Sequence, residues 1–79
     1  MKIDEAVRKR ILDLCTERKI TLNMLGTLSG VTQSTINNIF NRNQSVKIST
    51  IQKLCDGLEI TITAFFTDAL FQNIEQEIQ

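Results

Sequence analysis

Gln33, Asn37 and Asn38 place primary amides along one short polar segment, and each amide carries a donor and an acceptor side by side on a planar group. That pairing matches the N6 and N7 edge of adenine, which asparagine and glutamine engage in bidentate fashion in the major groove. Ser34 and Thr35 stand between them and offer a hydroxyl to a base edge or a methyl contact to thymine. Beyond them, Arg42, Asn43, Gln44 and Lys47 supply donors for phosphate oxygens, and Thr32 with the first amides of the helix it opens makes a further anion site. On an isolated helix the same amides would read as solvated polarity. The choice between the two readings rests on the elements that carry them.

Thr21 supplies an N-cap hydroxyl to a helix bearing Leu22, Leu25 and Leu28, with small Gly26 where a crossing helix comes closest. Gly30 follows, where the chain must turn through a left-handed conformation that glycine adopts without steric penalty. Thr32 then caps a second helix. At roughly 100° per residue, Ile36, Ile39 and Phe40 fall on one side of it and Ser34, Asn37, Asn38 and Asn41 on the other. The pattern is a helix-turn-helix whose second helix has an apolar face and a polar, uncharged one.

Around this motif the periodicity predicts three more helices. The first spans about Asp4 to Lys19, with Val7, Ile11, Leu14 and Cys15 turned to the core and Arg18 at its end. After a polar loop at Asn41–Ser45, the fourth starts at Ile48 or Ser49 and runs to Gly57, and Ser49 and Gln52 have capping-box spacing. Ile51, Leu54, Cys55 and Leu58 form its apolar stripe. Thr61 caps the fifth, which carries Phe65, Phe66, Ala69, Leu70, Phe71, Ile74 and Ile78. No internal repeat and no low-complexity tract is expected.

The 79 residues suit a single domain, and the absence of proline and scarcity of glycine leave an all-α fold as the default. There is no signal-like stretch and no run near the roughly 20 apolar residues that span a bilayer, so a cytoplasmic protein is expected, without membrane partners. With no histidine, no glycine-rich phosphate loop and two cysteines far apart at apolar positions, neither catalysis nor a metal or other cofactor is implied. The formal net charge is zero, which alone argues against a nucleic-acid binder. Its distribution argues the other way. From Arg18 to Cys55 the chain holds Arg18, Lys19, Arg42, Lys47 and Lys53 and no acid, while from Asp56 onward it holds Asp56, Glu59, Asp68, Glu75 and Glu77 and no base.

Gly26, the turn Gly30-Val31-Thr32, the run Gln33-Ser34-Thr35-Ile36 and Ile39, followed by Ile48–Cys55, Gly57–Ile62 and Phe65-Phe66, together resemble the Cro/CI-type (Xre-like) bacterial and phage regulators over residues 7 to 66. The resemblance implies a five-helix lambda-repressor-like DNA-binding domain with the helix-turn-helix at helices 2 and 3. It implies a transcriptional regulator, a repressor by expectation, bound to a double-stranded operator. Gln33, Ser34 and Asn38 match positions through which relatives contact bases, whereas Asn37 is placed beside them by periodicity. Leu22 departs from the pattern, standing where many relatives carry a phosphate-binding Gln, and Lys47 stands where a Ser or Thr often caps helix four.

Residues 67–79 are expected to continue helix five. On such a helix Phe66, Leu70 and Ile74 recur every fourth residue, while Phe71 and Ile78 lie one heptad apart. One apolar stripe would serve the monomer, and the second would pair with another copy, bringing two recognition helices to an inverted repeat as a homodimer. In the competing reading the extra Phe residues complete the monomer core. A further alternative makes this helix the docking surface of an antitoxin or other protein-interaction module.

Overall fold

Three threonine hydroxyls start three helices. Thr21 Oγ1 accepts from the Met24 amide at 3.1 Å, Thr32 Oγ1 from the Thr35 amide at 3.2 Å, and Thr61 Oγ1 from the Ala64 amide at 3.0 Å. In the computed structural model, which describes residues 1–78, these caps open α2 (Leu22–Ser29), α3 (Gln33–Asn41) and α5 (Ile62–Phe66). Before them α1 (Ile3–Arg18) starts after extended Lys2, with Asp4 and Glu5 in the first turn where carboxylates favour the helix dipole. Between α3 and α5, α4 (Ile48–Leu58) starts after Lys47 with no side-chain cap. The capping-box spacing of Ser49 and Gln52 is therefore not used. Ser49 already lies within the helix, because the chain leaves its extended conformation at Lys47.

The apolar stripes meet as expected. Val7, Ile11, Leu14 and Cys15 from α1 pack with Leu25, Val31 and Ile36 of the helix-turn-helix, Ile51, Leu54, Cys55 and Leu58 of α4, and Phe65 of α5. Each large apolar side chain removed from water contributes about 1.5–3 kcal/mol, so this cluster carries the stability of the fold.

An internal repeat, which the sequence reading did not expect, links the two ends of that core. At the α1–α2 joint Lys19 is left-handed (φ 55°), the Ile20 amide donates to Cys15 O at 3.0 Å, and Thr21 caps the next helix. At the α4–α5 joint Glu59 is left-handed (φ 59°), the Ile60 amide donates to Cys55 O at 3.0 Å, and Thr61 caps the next helix. The match extends backward through Leu14 and Leu54 to Ile11 and Ile51. It escapes a scan for repeats because the matched positions are the buried and capping ones, while the solvated residues between them differ freely.

The C-terminal segment differs from expectation. The helix that opens at Ile62 ends at Phe66, and Asp68 Oδ1 accepts from the Leu70 amide at 3.0 Å to start a single 3-10 turn over Ala69–Phe71. Residues 72–78 are not helical, and Gln79 lies outside the described residues. Arg10 of α1 supplies the physical reason. Its Nε donates to Phe65 O at 2.8 Å and its Nη2 to Ala64 O at 2.9 Å, so where the chain turns extended at Asp68 these carbonyls are satisfied by the guanidinium in place of a further helical turn. Its Nη1 meets Asp68 Oδ2 at 3.2 Å. The chain then returns toward its start, where the Glu75 amide donates to Met1 O at 3.1 Å.

Without a continuous helix the two apolar stripes do not form. Phe66 and Phe71 instead fold against Phe65, with ring centroids 4.9 Å apart for Phe65–Phe66 and Phe66–Phe71. Both pack on the core, which is the competing reading of these residues. Leu70 and Ile74 are half-buried, and Ile78 is 85% exposed.

Candidate nucleic-acid interface

Helix α3 is held from behind and below. Ile36 and Ile39 bury its inner face, and Gly30, left-handed at φ 68°, lets the Val31 amide return to Gly26 O at 2.9 Å. The neighbour for which Gly26 makes room is this turn and α3: a Cβ there would stand 2.9 Å from Gln33 Nε2 and 3.0 Å from Val31 O. A second close approach locks α2 onto α4. A Cβ on Gly57 would fall within 3.1 Å of both Cα and Cβ of Ser29, and deeper still into its hydroxyl. Sequence periodicity placed Gly57 only as the end of a helix.

Gln33, Ser34 and Asn37 are exposed on the outer face of α3, and Asn38 is half-buried at its flank. Gln33 Nε2 donates to the backbone carbonyl of Asn23 at 3.2 Å, which ties the amide to α2. The Asn37 side-chain oxygen accepts from Asn41 Nδ2, so these two amides form a ladder one turn apart. Gln33, Asn37 and Asn41 line one depression beside α3 together with Leu22 and Asn23. On the other flank, Asn38, Gln44 and Lys47 share a depression with Thr35 and Thr50. Of the expected phosphate-side residues, Gln44 and Lys47 are brought together here by the loop, which folds back so that the Gln44 amide donates to Asn38 O at 3.1 Å, with Asn43 left-handed at φ 54°. Arg42 stands exposed at the end of α3. The Thr32 hydroxyl accepts from the Thr35 amide at 3.2 Å and lies 2.9 Å from the Thr35 hydroxyl, beside the first amides of α3.

Three residues that the structure sets beside the expected contacts, among them Asn41 of the polar face, are not among those the sequence singles out as contacts. Asn41 repeats the amide of Asn37 at the spacing of one helical turn, a signal that was present. Thr50 lies in the first turn of α4, where only the packing of that helix reveals it. Asn23 acts through its backbone carbonyl, for which residue type gives no signal.

Arg18, Lys19, Arg42, Lys47 and Lys53 are all exposed. Among the described residues the ion pairs are Lys9–Asp13, Arg10–Asp68 and the Met1 amino group with Glu75, so none of these five cations is paired. The field they create over α2, α3 and the following loop is open to an anionic partner. Cys15 and Cys55 are buried free thiols, and burial pushes both above the ordinary thiol range, which keeps them neutral. No helix among the described residues is long and apolar enough to cross a membrane.

A helix-turn-helix family model matches residues 11–65, from the middle of α1 to the buried phenylalanine of α5. The chain belongs to the Cro/CI-type (Xre-like) helix-turn-helix family. As in this family of DNA-binding regulators, the Cro/CI-type domain here carries its motif on α2 and α3. The crystal structure of the prophage Lp1 protein 11 is similar to it, with 34% sequence identity and a TM-score of 0.81, covering 94% of this chain and 100% of that one. No curated protein matches the chain.

Proposed function

We propose that this Cro/CI-type protein is a sequence-specific transcriptional repressor that reads the major groove with α3 and binds an inverted-repeat operator as a homodimer. The observation that carries the reading is the exposed amide face of α3 set within a surface of unpaired cations. Gln33, Ser34, Asn37 and Asn38 read base edges, with Gln33 held by Asn23 so that its amide meets an adenine in one orientation. Arg42, Asn43, Gln44, Lys47 and the amides at the start of α3 hold the flanking phosphates and set the register. The second copy approaches through the C-terminal segment, where Leu70, Ile74 and Ile78 keep apolar surface open beyond the Phe65–Phe66–Phe71 cluster. The similarity to a prophage protein fits a regulatory switch on a mobile element.

Selection of duplexes from a random pool, followed by sequencing of what the protein retains, tests this function. Enrichment of an inverted repeat with half-sites about one helical turn apart, roughly 34 Å, is the expected result. Retention without any preferred sequence would leave only the electrostatic component of binding and would refute a specific repressor. A single enriched half-site would refute the dimer alone.

A further inference from the structure

The stretch from Arg18 to Cys55 contains no acid, but the fold brings one to it from elsewhere in the chain. Asp4, in the first turn of α1, accepts a hydrogen bond from Ser45 Oγ at 2.6 Å. Ser45 belongs to the loop that carries Arg42, Asn43, Gln44 and Lys47, and it lines the same depression as Asn38, Gln44, Lys47 and Thr50. Both partners remain open to water, Asp4 half-buried and Ser45 exposed. Among the described residues Asp4 forms no ion pair, so no neighbouring cation cancels its charge within contact distance.

We infer that Asp4 limits phosphate binding by this loop: its carboxylate anchors Ser45 and, fixed in the first turn of α1, carries a negative charge beside the phosphate-binding residues. The inference rests on the proposed DNA-binding function and deepens it. Two consequences of the contact have opposite signs. The hydrogen bond orders the loop and so favours DNA binding. The charge opposes it, because the carboxylate is bound to Ser45, two residues from Lys47, and charges at short range are screened little at physiological salt, where the Debye length is about 8 Å. A phosphate term carries no sequence information, so this limitation acts on every duplex alike and lowers occupancy of random DNA as much as that of the operator. In absolute terms it sets how much protein is titrated by the excess of non-specific sites.

Isosteric replacement separates the two effects. Asp4→Asn retains an oxygen that accepts from Ser45 and removes the charge, whereas Ser45→Ala removes the bond and leaves the charge. Titrations of both variants and the parent protein are made on the selected duplex and on a random duplex across a salt series. Asp4→Asn is expected to bind both duplexes about two- to tenfold more tightly at low salt, with the gain shrinking as salt rises. Ser45→Ala is expected to bind no more tightly than the parent. Equal affinities of Asp4→Asn and parent on both duplexes, with matching thermal melts, would overturn the inference, as would a gain in Ser45→Ala equal to that in Asp4→Asn. If the parent itself binds no duplex with salt-dependent affinity, the proposed function fails first, which the same titration shows directly.

Discussion

Gly57 faces Ser29 across the α2–α4 crossing so closely that a single added methyl group has nowhere to go. Among the described residues the Ser29 hydroxyl, buried there, has no hydrogen-bond partner, so the approach is steric and not held by a polar contact. Gly57→Ala should therefore cost about 1–3 kcal/mol, the range for overpacking a rigid contact. Chemical denaturation of the variant measures it, and Ser29→Gly in the same chain should recover part of the loss. Full stability of Gly57→Ala alone would show that α2 and α4 slide apart at no cost.

Gln33→Ala should reduce discrimination at one base position by about 1–3 kcal/mol while leaving binding to random duplex nearly unchanged. Arg42→Ala should weaken binding on all sequences and flatten the logarithmic salt slope by about one unit. Competition titrations with single-position operator variants separate the two. Equal losses on operator and random duplexes for Gln33→Ala would remove it from base reading.

Lys47 occupies the N-cap of α4, where serine or threonine would accept a hydrogen bond that lysine cannot. Lys47→Ser should accordingly raise stability by about 0.5–1 kcal/mol, yet weaken DNA binding through loss of a cation from the phosphate side. A melt and a DNA titration on one preparation decide the matter. A rise in both quantities would show that Lys47 does not touch DNA.

Arg10 has a nearly buried side chain, 12% exposed, and three hydrogen bonds to the end of α5 and to Asp68. Arg10→Ala should destabilise the protein by about 2–4 kcal/mol, since hydrogen bonds from a charged donor contribute more than neutral ones and two carbonyls lose a partner. Limited proteolysis should then cut first after residue 66. Unchanged stability would mean that water replaces the guanidinium fully.

What could be read from the sequence divides along a physical line. The threonine caps, the apolar stripes of α1 and α4, and the turn at Gly30 depend on residues within one or two turns of each other, and local spacing reveals them. The end of α5 depends on Arg10, from the opposite end of the chain, and a pattern that is helical by periodicity is cut short by a tertiary contact. The same holds for the site. The amides of Asn37 and Asn38 are legible on α3, but their division between its two flanks, the fixing of Gln33 by a backbone carbonyl, the arrival of Asp4 at Ser45 and the clearance at Gly57 all depend on residues brought in from other elements.

The matched corners at Ile20 and Ile60 give the molecule a built-in reference standard. Each isoleucine amide donates to the carbonyl of a buried cysteine with the same 3.0 Å geometry, yet one corner feeds the helix-turn-helix and the other feeds the C-terminal segment. Amide exchange at these two positions can be compared inside a single sample, free of differences in concentration, temperature or pH. Slowing shared by both corners on adding DNA would mean that the whole fold is stabilised by mass action. Slowing confined to Ile20 would locate the tightening in the half of the protein that carries the helix-turn-helix.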